Sequence, residues 1–374
     1  MDWKKIKMGD IIQVKKGEYI TKKDSNEGIY PVILGGREPA YYIDKYNHIG
    51  KAIVISRSGA SAGYVSFWNE PIFVTDGFLI EPKDGISYEF LYYSLKSKQQ
   101  ILHSSQKGAA IPHVTPYLIS SIDSLLPDEK TQIRLASVLS AYDNLIENNN
   151  RRIRLLEQMA ENLYKEWFVR FRFPGYEKAE FENGLPKGWK YENLFDVADV
   201  SYGFAFKSDL FCNDESLNAV VRIRDIQDNH TDTYTCEVPD DKYLIEENAI
   251  LVGMDGIFHM CLWNGEKAYL NQRVVKINSK LNNLCNYMLF MSIRPQIKFW
   301  EQVIAGTTVA HLGDKHLRKV KVTIPDDKLL VKADRMFSKI MIEKNQLFKQ
   351  NILLSRQRDL LLPRLMSGKL EVKV

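Results

Sequence analysis

The chain has 374 residues, enough for two or three domains at about 150 residues each. Its 45% apolar and 26% charged residues exclude a mostly disordered chain, and its 21 glycines and 13 prolines exclude a collagen-like or linker-dominated one. The net charge of +4, from 51 basic and 47 acidic residues, is small for a nucleic-acid binder, so its distribution along the chain carries more information than its sum.

Met1-Asp2-Trp3-Lys4-Lys5 leads into no apolar stretch, and no apolar run approaches the roughly 18–20 residues of a membrane span. With only four cysteines, this predicts a cytoplasmic protein without a signal peptide. Residues 1–126 read as a globular segment. Lys51-Ala52-Ile53-Val54-Ile55 is a β-rich run, and Tyr88–Leu102 carries a helical pattern. From about 128 to 168 a clean heptad follows: Leu135, Leu139, Tyr142, Ile146, Asn149, Ile153, Leu156, Ala160, Leu163 and Trp167. That is the seam of a coiled coil rather than the stripe of a surface helix. Residues 173–325 form a second globular segment, with a β-rich run at Ala219-Val220-Val221-Arg222-Ile223 and a helical pattern over Leu284–Ile304. A second long helix is expected over about 328–362. Ala333, Ile340, Leu347, Leu354 and Leu361 form one row of its seam. Leu330, Phe337, Lys344, Asn351 and Arg358 form a more polar second row, suited to meeting something besides the first helix. Pro325-Asp326-Asp327-Lys328 reads as its N-terminal cap, and Pro363 should end it near Leu362. A forty-residue helix is about 60 Å long, which suits a spacer.

The two halves repeat. Trp3, Asp10, Val14 and Gly17 match Trp189, Asp196, Val200 and Gly203 at one offset, and Gly108, His113 and Pro127 match Gly306, His311 and Pro325 at an offset about twelve residues larger. The expected fold is therefore α+β: globular unit, long helix, globular unit, long helix. Antiparallel pairing of the helices would bring Asn149 and Asn351 close together near mid-helix. There they either fix the register, at some cost in stability, or face solvent at an imperfect seam.

Catalytic signatures are missing. There is no Walker A loop, no Gly-x-Gly-x-x-Gly after a strand and no Asn/Asp-Pro-Pro-Tyr/Phe turn of the kind that holds a flipped base. Cys212, Cys236, Cys261 and Cys285 lie more than twenty residues apart, too far for the usual structural zinc spacing, and read as reduced, partly buried thiols. His113 and His311 read as structural histidines of Gly-rich turns, since neither has a nucleophile or carboxylate close in sequence. No catalytic residue and no metal site is expected.

The helix starts carry a resemblance. Pro127-Asp128-Glu129-Lys130-Thr131-Gln132, followed by Ala136, Leu139, Asp143 and Ile146, resembles the Pro-x(4)-Gln…Ala-x-x-Leu-x-x-x-Asp-x-x-Ile signature of type I restriction–modification specificity (S) subunits. The ending Leu361-Leu362-Pro363-Arg364-Leu365-Met366-Ser367-Gly368-Lys369-Leu370 looks like that family's. Gly184-Leu185-Pro186-Lys187-Gly188-Trp189 with Gly203-Phe204-Ala205-Phe206-Lys207-Ser208 is similar to the opening of its second target-recognition domain. The second helix departs from the signature, with Leu330 where the first has Gln132 and Asp334 where it has Ala136.

The resemblance implies target-recognition domains at 1–126 and 173–325, a spacer helix and linker at 127–172, and a second spacer helix with a C-terminal tail at 326–374. It implies a non-catalytic subunit whose two domains each read half of a bipartite site in double-stranded DNA. The helices, paired as an antiparallel coiled coil with pseudo-twofold symmetry, would set the spacing and dock two modification (methyltransferase) subunits. Restriction/translocase subunits complete the implied assembly. S-adenosylmethionine, ATP and Mg would be held by the partner subunits and no cofactor by this chain. A decoy or regulatory paralogue that binds modification subunits without reading DNA is the alternative; a nuclease with a scattered metal site is a third reading.

Such readers need cations for phosphates and planar donors for base edges. The candidates are Lys15, Lys16, Lys22, Lys23, Arg37, Arg57 and Lys107 in the first domain, and Tyr202, Lys207, Arg222, Arg224 and Arg273 in the second. Phe204 and Phe206, beside Lys207, either touch sugar or a thymine methyl or belong to the core. Asp225 either leaves Arg222 and Arg224 free to read guanine or holds one of them in an ion pair. By segment the net charge is +2 over 1–126, +1 over 127–172, −4 over 173–325 and +5 over 326–374. So acidic a second domain predicts weak, salt-sensitive DNA binding by the chain alone.

Overall fold

The computed structural model describes residues 3–34, 36, 38–104, 113–304 and 310–372. Chain contacts divide it into two compact units, Met1–Asn148 with Asn351–Val374, and Asn149–Gln350. Each unit holds one globular fold and a stretch of both long helices. Among the described residues no helix is long and apolar enough to cross a membrane.

In the first unit, strands Ile12–Lys16, Gly77–Pro82, Lys51–Ser56 and Val65–Asn69 form an antiparallel sheet in that order, with Val14 and Ile53 both opposite Ile80. A second sheet orders Tyr41–Ile43, Glu27–Ile33 and Phe73–Val74, the last pair parallel. The ribbon Lys4–Lys7 with Asp123–Leu126 brings the two ends of the globular segment together. The helical stretch expected over 88–102 is two helices, Tyr88–Ser97 and Gln99–Ser104. Leu91 and Leu95 pack on Ile53, Ile55 and Ile80, while Phe90 and Tyr93 pack on Leu135 and Leu139 of the first long helix and Leu362 and Leu365 of the second.

The second unit repeats this plan. Its ribbon is Lys190–Asn193 with Lys321–Ile324. Its four-stranded sheet orders Ala198–Tyr202, Val274–Ser279, Ile250–Gly253 and Met260–Leu262. The companion sheet keeps one parallel pair, Val220 opposite Tyr269. The pairs Lys4–Leu126 and Lys190–Ile324 stand at equivalent places, so the repeat in sequence is a repeat in topology. The run expected to be strand through Ile223 stops at Val221, because Ile223–Asp225 turns into a 3-10 helix whose start is capped by the Asp225 carboxylate.

The long helices are Glu129–Tyr164 and Asp327–Met366. Asp128 caps the first through Thr131 N (3.1 Å), and Asp326 caps the second through Leu329 N (3.1 Å). Gln132 of the signature is 2% exposed. Its Oε1 accepts from Ser87 N (3.0 Å) and its Nε2 donates to Pro127 O (3.2 Å), which ties the helix start to the globular fold. All ten seam residues of the first helix are buried or half-buried.

One expectation about the second helix is corrected. Pro363 lies inside it: the helix runs on to Met366 because Leu365 and Met366 are buried against the first unit's core, and Gly368 closes it at φ +69°. The polar seam row meets more than the first helix, as expected: Phe337 packs on Tyr287 of the globular segment (5.2 Å), while its charged members pair with the first helix. In the first unit Arg358 donates to Asp143 Oδ1 (2.5 Å), whose Oδ2 accepts from Tyr93 (2.5 Å). In the second unit Lys344, 8% exposed, pairs with Glu157 (3.4 Å), and Asn149 donates to Gln350 Oε1 (3.5 Å). In both units the helices therefore run antiparallel.

Candidate nucleic-acid interface

In the first unit the strand Ile12–Lys16 ends at a groove. Successive side chains alternate across a strand. Lys15 turns to Glu81 (2.7 Å), while Lys16 is exposed and lines a cavity of about 430 Å³ with Gly17, Tyr19, Ile20, Leu34, Arg57, Thr75 and Asp76. Gly17 is required here, since a Cβ would lie 2.6 Å from the carbonyl oxygens of Val74 and Thr75. Its partner Gly203 is still tighter against the carbonyl of Asn271. Lys22 and Lys23 are exposed on the short helical turn Lys22–Asp24. Arg37 and Lys107 lie outside the described residues, as do the Gly-rich turns preceding His113 and His311.

Arg57 is half-exposed and forms an ion pair with Asp76 at 3.8 Å. In the second unit Arg273 forms one with Asp255 at 3.5 Å. Backbone bonds show how the two pairs correspond. Arg57 N donates to Asp76 O and Met254 N to Arg273 O; Val114 N donates to Arg57 O and Leu312 N to Met254 O. Ser58 bridges to His113 as Asp255 bridges to His311. Position 76 therefore corresponds to 273, and 57–58 to 254–255. The same corner of each fold holds an arginine–aspartate pair, with the two charges exchanged between the strands. His311 Nδ1 also lies 2.6 Å from Asp255 Oδ1, so it has a carboxylate partner that sequence proximity does not reveal.

The other second-unit candidates divide by environment. The Tyr202 hydroxyl donates to Asp314 (2.8 Å), and burial together with that carboxylate raises its pKa. Lys207 has an exposed side chain at the start of the turn Ser208–Leu210. Phe206 is buried and Phe204 packs on it edge-on (4.9 Å) and against Tyr243, so the aromatic stretch is core. Arg222 is largely buried. Its guanidinium lies over Phe211 (5.7 Å), and its Nε, without a hydrogen-bond partner among the described residues, faces Asp225 Oδ2 at 3.5 Å. It is a packing element, whereas Arg224, which faces the other oxygen of Asp225 at 3.6 Å, is 72% exposed.

Among the described residues no group of three or more His, Cys, Asp or Glu could hold a metal ion. Cys212 and Cys285 are half-buried and Cys261 is buried, its thiol pushed up to about 12 by burial, but Cys236 is exposed rather than partly buried.

A family model described as the type I restriction modification DNA specificity domain matches residues 1–158 and again 186–350. The chain belongs to this family. The type I specificity-domain fold thus occurs twice, once in each compact unit. The MjaIX type I specificity subunit of Methanocaldococcus jannaschii is 28% identical over 357 residues, covering 86% of this chain and 78% of that protein. The HindI type I specificity subunit of Haemophilus influenzae is 21% identical, with 79% and 80% covered. The crystal structure of a type I S subunit from M. genitalium shares the fold, at 17% identity and a TM-score of 0.64, over 100% of this chain and 97% of that one.

Asp225 is a buried carboxylate whose ionisation costs the second specificity domain stability. Burial raises its carboxyl to about 6, against the opposing effects of the Thr231 hydroxyl and Arg224. A carboxyl raised in the folded state contributes stability below its unfolded pKa of about 4, and that contribution is lost as pH rises through 6. Asp225→Asn removes this titration. Urea unfolding at pH 4.5 and 7.5 should show the variant gaining on the wild type by about 2 kcal/mol at the higher pH. A pH-independent difference would contradict the burial.

Proposed function

We propose that this chain is the DNA-recognition subunit of a type I restriction–modification complex, with no catalytic residue of its own. Each specificity domain reads one half of a bipartite site in double-stranded DNA. The long helices set the distance between the halves and dock two modification subunits, and restriction/translocase subunits complete the assembly in the cytoplasm. S-adenosylmethionine, ATP and Mg belong to those partners. The observation that carries this reading is the specificity domain occurring twice, each copy joined to both long helices. Lys15, Lys16, Lys22, Lys23, Arg57, Lys207, Arg224 and Arg273 are the described candidates whose side chains remain accessible to DNA, Lys15 from its ion pair with Glu81; Tyr202 and Arg222 are engaged within the fold.

Docking on the helices is supported by their exposed apolar residues. These are Ile133, Leu145, Ile352, Leu353 and Leu360 in the first unit and Leu155, Met159 and Ile342 in the second. Large apolar side chains left outward on a helix pair favour protein contact.

Mapping methylated positions in DNA from cells carrying the chain with its modification subunit tests the function. A bipartite motif with a fixed gap is expected. Methylation that is the same with and without the chain would overturn the proposal and favour a decoy.

A further inference from the structure

The exchanged arginine–aspartate pair occupies a corner that both domains hold in common, at the end of the four-stranded sheet beside the serine- or aspartate-to-histidine bridge. The residues at equivalent positions differ: Arg57, Ser58 and Asp76 in one domain, Met254, Asp255 and Arg273 in the other. Yet both corners place one guanidinium against one partly buried carboxylate. The contacts are loose, 3.8 Å through Nη1 for Arg57 and 3.5 Å through Nε for Arg273, and neither guanidinium has another ion-pair or hydrogen-bond partner among the described residues. A loose surface ion pair adds little stability. What it does is keep the guanidinium at the corner while the side chain stays open to solvent, 39% exposed for Arg57 and 57% for Arg273. In the first domain the arginine also opens onto the groove lined by Lys16 and by Tyr19, 88% exposed, which supply a phosphate contact and an amphipathic wall.

We infer that Arg57 and Arg273 are specificity-determining residues, each reading a guanine edge in its own half-site, with Asp76 and Asp255 as their positioning residues. Guanine presents two acceptors, N7 and O6, to the major groove, and the planar guanidinium fork matches both at once. With Nη1 held, Arg57 offers its Nε and Nη2 side. With Nε held, Arg273 offers its two terminal nitrogens. Exchanging the charges between strands presents the fork from opposite sides of one corner, so one scaffold can address guanine at different positions of its half-site. The inference rests on the DNA-reading function proposed above.

The test uses the full chain in complex with its modification subunits, incubated with a pool of random-sequence duplexes, and sequencing of the bound DNA. Arg57→Lys and Arg273→Lys keep the charge and lose the fork. Each is expected to reduce preference for a guanine roughly tenfold or more in one half-site, while selection at the other half-site stays intact and reports that the variant is folded. Asp76→Asn and Asp255→Asn are expected to relax the same positions more weakly. Both lysine variants selecting the wild-type motif, with affinity lowered evenly or unchanged, would overturn the inference and leave the arginines as phosphate contacts or surface pairs. A wild-type complex that selects no motif would overturn the DNA-reading function and this inference with it.

Discussion

Deleting one heptad from each long helix, around Asn149 and Gln350, is expected to shift the preferred gap between half-sites by about three base pairs and leave the half-sites themselves unchanged. The helices have 36 and 40 residues and run antiparallel within each unit. Seven residues are about 10 Å of α-helix, which is about three steps of B-form DNA. A heptad is close to two whole turns, so the deletion rotates the helix by only about 20° and preserves the buried seam. The duplex, by contrast, turns by roughly a third of its period over three base pairs. The shortened protein should therefore prefer the shorter gap with reduced affinity. The measurement is selection from duplexes in which both half-sites are fixed and the gap varies. An unchanged gap would show that the helices do not set the spacing.

Phe337→Ala is expected to destabilise the second unit by about 3–5 kcal/mol. Phe337 is on the second long helix and is fully buried. Its ring packs on Tyr287 of the helix Asn286–Ile304 (5.2 Å), on Tyr164 at the end of the first long helix (6.3 Å) and on Phe168 in the π-helical turn Lys165–Val169 that follows it (6.4 Å). Truncation removes the transfer energy of the ring and leaves a cavity among three aromatic residues that rigid helices cannot close. Urea unfolding compared with Ile342→Ala, an exposed neighbour on the same helix, isolates the packing term. A loss below about 1 kcal/mol would mean that the helices are joined to the domain elsewhere.

The long helices were legible in sequence because a buried seam imposes a seven-residue period that loops and sheets do not mimic. The domain duplication was legible because equivalent turns and strand ends need the same few residues: Gly17 and Gly203 match because each lies against a carbonyl where no Cβ fits. The partners of the charged residues in the polar row were harder to find, because Asp143 and Glu157, which neutralise Arg358 and Lys344, fall outside the apolar seam of the first helix. Pro363 misled for a related reason. Local propensity ends a helix there, and burial of Leu365 and Met366 carries it on.

The candidate site was less legible. Composition marks cations but not their neighbours. Lys15 and Lys16 look alike in sequence, and only strand alternation sends one to Glu81 and the other to the groove. Arg222 and Arg224 look alike too, and both face Asp225; only the fold buries the first guanidinium and leaves the second largely exposed. The exchanged pair left no sequence signal. Its members sit just beyond the ends of different strands, and the two domains place the arginine at positions that do not align. His311 was linked to Asp255, 56 residues away, by the fold alone.

Exchanging residues 1–126 for the corresponding domain of a relative tests most directly whether each domain reads its half of the site independently. The readout is the methylated motif in cells that carry the hybrid chain with its modification subunit. One half of the motif should change, and the other half should stay as it was. A hybrid that alters both halves, or neither, would contradict two independent readers.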